Sequence, residues 1–196
     1  MNSQMPVRAV VNIAELPDQF PTHRHHGEFW ESLGRAVATF GFLEEVLGRA
    51  IFALTATRPY HEAEVQKAYT EWLPKLERAL TDQLGDLITA YDKAMRNHPK
   101  ATTDDLNDLV ATLRKAAELR NVLCHGSWRT PSVDGTSVPF FVNRQKLVFD
   151  TPIDVGFLNQ VQRHTSELTC AVVSTVTRMG RRFPGGEVPR QTIWAQ

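Results

Sequence analysis

The sequence predicts an all-α protein, a four-helix bundle with a small β-hairpin inserted between its third and fourth helices. Two patterns predict it. Apolar residues recur at three- and four-residue steps over long stretches, which marks one face of an amphipathic helix. Proline- and glycine-containing connections punctuate those stretches, and a single turn-rich segment follows the third. At 196 residues, with 42% hydrophobic and 22% charged residues, the chain is long enough for one domain with a real core and short for two.

Residues 1–24 carry three prolines and no sustained period, and read as an N-terminal arm. The helical domain spans 25–182, and a tail over 183–196 opens on breakers. The first helix is expected over about 27–57, with Phe29, Leu33, Val37, Phe40, Leu47, Ile51 and Leu54 as its stripe. "TRPYH" interrupts it. The second is expected over 61–97 through Val65, Tyr69, Trp72, Leu76, Leu80, Leu84, Leu87, Tyr91 and Met95, with Pro74 placed to kink or split it. Thr103 and Asp104 suit the N-cap region of a third helix over 103–125, whose face carries Leu106, Val110, Leu113, Ala117 and Cys124. "FFVNRQKLVF" sets two short apolar runs around a polar tip, so a hairpin is expected near 138–149. Thr151 and Pro152 open a fourth helix over 152–181, striped by Leu158, Val161, Leu168, Val172, Val176 and Met179.

Charge and cysteine content bound the function. Formal net charge is zero, so no global field draws the chain to nucleic acid or acidic membrane, and any such binding requires a local patch. One candidate gathers Arg163, Arg178, Arg181 and Arg182 against Glu167; a solvated helix end accounts for it equally well. Cys124 and Cys170 fall in apolar helical patterns, where a free thiol is usually a small core residue. There is no signal-peptide pattern at the start and no apolar run long enough for a bilayer, so a cytoplasmic setting without membrane contact is expected.

The informative residues are those that interrupt the stripes. The first helix has Glu44 where its apolar steps leave a gap, and the third has Arg120. A lone buried charge is costly, so these two are candidate partners; long side chains that snorkel from a core edge are the alternative. Beyond Arg120, "LRNVLCHGSW" puts Asn121 and His125 at i,i+4 on one face, and Gly126 is placed to end the helix in a left-handed cap.

"RNVLCH", Arg120 to His125, resembles the arginine–four-to-six–histidine motif of the HEPN superfamily, in the form where a polar residue, often asparagine, follows the arginine. The likeness extends to a four-helix core, an early glutamate inside an apolar helix and a motif near the end of a central helix. It covers roughly residues 27 to 180 and leaves the hairpin and both arms unexplained. The resemblance implies a metal-independent endoribonuclease of the toxin–antitoxin, abortive-infection or CRISPR-linked kind, needing no cofactor. By it, His125 moves protons on the ribose 2′-hydroxyl or the leaving 5′-oxygen, a task for a side chain type that titrates near neutral pH. Arg120 holds the scissile phosphate with its planar fork. Asn121 orients His125 or the phosphate, and Glu44 positions Arg120. RNA is the implied substrate, a homodimer the implied assembly, and an antitoxin protein or a nucleotidyltransferase a further partner.

Other readings stand beside it. A HEPN-like domain without catalysis, serving for binding or dimerisation, is more at ease with the neutral charge. Modification on a tyrosine is disfavoured because Tyr60, Tyr69 and Tyr91 lie far from His125 in sequence. "HRHH" offers His23, His25 and His26 as a metal grip, but ligands this close rarely complete a four-coordinate site. Cys124 cannot readily be activated by its neighbour His125, since adjacent helical residues point about 100° apart. Trp30, Trp72, Trp128 and Trp194 read as core or interface anchors.

Overall fold

Thirty consecutive residues, Gly27–Ala56, form α1, a helix about 45 Å long by its rise per residue. The computed structural model describes residues 12–57 and 83–185, with 63, 65–67, 69, 70 and 74 between them. Among the described residues three more continuous α-helices follow, α2 over Leu84–Asn97, α3 over Leu106–His125 and α4 over Val155–Thr177, and residues 65–67, 69, 70 and 74 are helical as well. The chain is all-α, mostly helical and with no strand among the described residues. No helix there is long and apolar enough to cross a membrane.

The stripes read from the sequence become the core. Phe29, Leu33, Phe40, Leu47, Ile51 and Leu54 of α1 are buried, joined by Leu43, Val46 and three alanines, and Val37 is half-buried at the edge. α1 packs most extensively on α4 and next on α2. Leu158, Val161, Leu168, Val172 and Val176 face it from α4, and Leu84, Leu87, Ile88, Tyr91 and Met95 from α2, in one continuous cluster. Phe183, at the head of the expected tail, is buried in the same cluster. Tyr91 is fully enclosed; its hydroxyl donates to Thr175 Oγ1 at 2.9 Å, and burial pushes its ionisation up to about 12. Buried His98 ties the ends of α1 and α2 together: Nδ1 accepts from the Lys100 amide, and Nε2 meets the Thr57 hydroxyl at 3.3 Å.

Several boundaries differ from expectation. The second helical pattern does not run unbroken to 97. Gln83 is extended (φ −71°, ψ 156°), and α2 starts afresh at Leu84, which is buried, with Asp86 favourably placed in the first turn. Val65 and Tyr69, expected in the stripe, are exposed. Trp72, Leu76 and Leu80 lie outside the described residues, as do Tyr60, Trp194, residues 1–11 and residues 186–196. α3 begins at Leu106 rather than 103, with Asp105 at its N-cap. α4 begins at Val155, where Asp154 Oδ1 accepts from the Phe157 amide at 2.6 Å; this carboxylate supplies the cap that Thr151 and Pro152 do not. Both cysteines are exposed, not core.

The expected hairpin is not seen as strands. Between α3 and α4 the chain makes isolated antiparallel bridges, Ser127 with Phe140, Ser137 with Ile153 and Val142 with Val148. The buried Ser137 also donates its hydroxyl to Arg129 O at 2.8 Å. The segment is therefore pinned at both helix junctions by paired backbone groups, too few in a row to build a sheet.

Gly126 ends α3, but not in the left-handed form expected. Its φ of −68° and ψ of 136° are open to any residue, and its amide donates to Val122 O at 2.8 Å. The requirement is space: a Cβ there would stand 2.6 Å from Val122 O and 2.8 Å from Pro139 Cβ. Gly126→Ala should therefore destabilise the chain by roughly 1–3 kcal/mol through overpacking. A thermal-unfolding midpoint unchanged by Gly126→Ala would show that the approach of Pro139 is not required.

Candidate functional site

The face of α3 that is core along its first three turns emerges into solvent at its last. At about 100° per residue, Cys124 has the same helical phase as Leu106, yet Leu106 is buried and Cys124 exposed. Around Cys124 on that uncovered arc lie Arg120 on one side, and Asn121 and His125 on the other, with Asn121 and His125 exposed. The helix is instead closed at this end by Val122 and Leu123, which are buried on its other sides. A polar residue at 120 is thus tolerated because the core ends there.

Arg120 leans towards α1. Its Nη2 lies 3.5 Å from Glu44 Oε1, and both side chains are 25% exposed. Glu44 Oε1 is itself closed off from solvent and accepts no hydrogen bond. At 3.5 Å the contact is an ion pair without hydrogen-bond geometry. The other arm of the fork, Nη1, sits 3.5 Å from Asn121 Oδ1. A guanidinium has five donors, and two contacts this long leave it able to take an anion. The partnership of Glu44 and Arg120 therefore exists at the mouth of the core, not inside it.

The structure brings together Glu44, Arg120 and Asn121. It does not bring His125 to Arg120. Among the described residues no hydrogen bond or ion pair joins His125 to Arg120 or Asn121. Five residues on a helix separate them by roughly 7.5 Å along the axis and about 140° around it.

An aromatic cluster next to this corner went unseen in the sequence. Trp128, three residues past His125, meets Phe29 edge-on at 5.0 Å between ring centroids, and Trp30 and His25 at 6.4 Å. His25 stacks on Phe29 at 4.4 Å and meets Trp30 edge-on at 5.2 Å. Trp30 Nε1 donates to Thr22 O at 3.0 Å, and Arg24 Nη1 donates to Thr130 Oγ1 at 2.6 Å. The segment before α1 is thus strapped onto the exit of α3. "HRHH" so contributes a stacked ring at His25, and His23 stacks on Phe20. Among the described residues no group of three or more His, Cys, Asp or Glu side chains is placed to hold a metal ion. The closeness of His25, Phe29 and Trp30 on one segment was the available signal; only the fold brings Trp128 to them.

Two further features lie elsewhere. A cavity of about 330 Å³ opens between the α2–α3 connection and the end of α4, lined by Met95, Asp104, Leu106, Ser174 and Arg178. It is at the opposite end of α3, roughly 28 Å from His125 by helix length. The arginine patch is dispersed, since Arg163 and Arg178 stand about 22 Å apart along α4. Of the tyrosines, Tyr91 is buried and Tyr69 exposed.

This geometry generates two predictions. The Glu44–Arg120 pair is intermediate between a surface pair, worth roughly 0–1 kcal/mol, and a buried one that costs about 3–5 kcal/mol to break. A double-mutant cycle on unfolding with Glu44→Ala and Arg120→Ala should give a coupling of about 1 kcal/mol; strictly additive effects would dissolve the pair. Burial lowers His25 below its ordinary value of 6.5, because its Nε2 is enclosed without a partner. A depressed histidine favours the neutral folded state, so its contribution is fully present above pH 6.5 and lost as pH falls towards the lowered folded value. Unfolding midpoints of native chain and His25→Phe, compared from about pH 8 to 5, should diverge at the acid end, the substituted chain losing less. Parallel curves would show that His25 does not titrate within the cluster. Comparison of the chain with protein-family models, with characterised proteins and with solved structures gives no match.

Proposed function

We propose that the chain is an endoribonuclease of HEPN type, its helices forming the four-helix bundle of that superfamily with 127–153 as the insertion. The observation that carries this reading is the corner itself. Arg120, loosely held by Glu44 and Asn121, stands at the same uncovered end of α3 as the exposed His125. Internal transfer needs a group to take the proton of the ribose 2′-hydroxyl as its oxygen bonds to phosphorus. It needs another to protonate the 5′-oxygen as the P–O5′ bond breaks, and a cation for the phosphate. His125 is of the first two types and Arg120 of the third. Asn121 orients, and Glu44 holds Arg120 in place.

One imidazole serves one proton transfer at a time, and in a single chain it points away from Arg120. A homodimer with this corner at its two-fold axis supplies a second imidazole and a second guanidinium. The same divergence favours the rival reading, a HEPN-like module that binds or dimerises without cutting. An RNA-cutting toxin of a toxin–antitoxin or phage-defence system, held by an antitoxin protein, is the setting that suits the activity.

Labelled single-stranded RNA incubated with native protein in EDTA should be cut, leaving 2′,3′-cyclic phosphate and 5′-hydroxyl ends, while the matching DNA stays intact for want of the nucleophile. His125→Ala should lower the rate by about 10²–10⁴-fold. Equal cutting by both proteins would mark contamination. No cutting by either, with any bound partner removed, transfers the assignment to the binding module.

A further inference from the structure

The segment between α3 and α4 carries a feature that the cleavage chemistry does not use. Phe140 is 49% exposed although it is held rigidly: its amide donates to Ser127 O at 2.8 Å, and its carbonyl accepts from the Ser127 amide at 2.9 Å. That hydrogen-bonded pair fixes Phe140 opposite a residue only two beyond His125. The guanidinium of Arg129 lies over the Phe140 ring, 5.1 Å from its centroid. An exposed ring with a cation on it is the chemistry that stacks a nucleobase and attracts its phosphate.

Register and charge say which way a strand would run. The antiparallel pairing of Ser127 with Phe140 sends residues 141–143 past Ser127 in the direction of His125. The turn that follows is closed by the Val142–Val148 bridge and by Asn143, whose side chain accepts from the Leu147 amide. Arg144 and Lys146 are exposed on that turn. Between α3 and α4 the cations are Arg129, Arg144 and Lys146 and the carboxylates Asp134, Asp150 and Asp154, so the segment as a whole has no excess of positive charge; the Val142–Val148 register sets Asp150 opposite Phe140. Asp134 belongs to the other turn of the segment, where hydrogen bonds from the amide and hydroxyl of Thr136 hold it below the usual carboxylate range. Within the segment, two cations and no carboxylate stand on the 143–147 turn, towards which the chain runs from Phe140. The C-terminal end of α3 bears the negative end of the helix dipole, so a phosphate seated there needs such cations.

We infer that Phe140 and Arg129, with Arg144 and Lys146 on the adjoining turn, form a base-stacking subsite that holds single-stranded RNA beside His125. The inference rests on the ribonuclease reading for the identity of the strand, but the binding is measurable without cleavage. The apolar side chains of Val142 and Val148, exposed on the same segment, widen the platform rather than define it.

Binding is read by fluorescence anisotropy of a fluorescein-labelled, unstructured RNA of about ten nucleotides, on full-length His125→Ala protein so that the probe survives. Phe140→Leu keeps an apolar side chain but removes the π-face, and should weaken binding roughly 5- to 100-fold, with Phe140→Trp restoring it. Arg144→Ala with Lys146→Ala should flatten the salt dependence by about 0.7 for each phosphate no longer neutralised. These exposed turn substitutions test the same site should the Phe140 variants unfold. Affinity unchanged in Phe140→Leu and in the turn variant overturns the subsite. Unchanged affinity accompanied by a change in oligomeric state on Phe140→Leu also overturns it, and makes this face a self-association surface. The two readings separate cleanly. RNA binding that depends on Phe140 in a chain that never cuts keeps the subsite and ends the ribonuclease. Cutting that is indifferent to Phe140 does the reverse.

Discussion

Helix α1 is buried on one face at its start and on most of its circumference from Leu43 to Leu54, and the other helices are placed by what they can pack against that surface. α4 takes the longest contact and α2 the next, while α3 touches α1 over a shorter length. Burial of apolar surface drives this assembly without direction, so position comes from complementarity between stripes. The short contact of α3 is the consequential one. Its inward face has core to meet at Leu106, Val110 and Leu113, and by Cys124 it has none.

The end of that cover creates the polar corner. A charge at the centre of a helical core would cost several kcal/mol unless paired and hydrogen-bonded. At the rim, Arg120 and Glu44 need only approach each other: each side chain stays one quarter exposed, and the two meet at 3.5 Å. The looseness leaves donors free. A guanidinium locked in a tight bidentate pair commits two donors to one carboxylate, whereas Arg120 makes only two contacts, each at 3.5 Å.

The same end of the molecule is organised by chain segments distant in sequence. His25, Phe29 and Trp30 meet Trp128, and Arg24 reaches Thr130. Gly126 lets Pro139 lie against the last turn of α3, and the Ser127–Phe140 pair continues that approach. His125 is therefore presented from a helix end clamped on two sides, by the segment before α1 and by the segment before α4.

The helices at 27–56, 106–125 and 155–177 were legible in the sequence because a helix stripe is a local signal, repeated every few residues and read without knowing the partner. So was the candidacy of Glu44 and Arg120, since a charge inside an apolar period is conspicuous wherever it packs. The break at Gln83 was not legible, because the apolar steps continue through it, and only the docking of Leu84 against the core decides where the new helix starts. Nor was the exposure of Cys124, which obeys the period perfectly and lacks only a neighbour. A left-handed Gly126 was a fair inference from residue type, but what requires glycine is the nearness of Pro139, thirteen positions on. The sequence by itself determined where the long helical stripes run and which charges stand out of place. Tertiary structure decided where the core stops, and with it which of those residues meet water, because burial belongs to pairs of surfaces and not to any one of them.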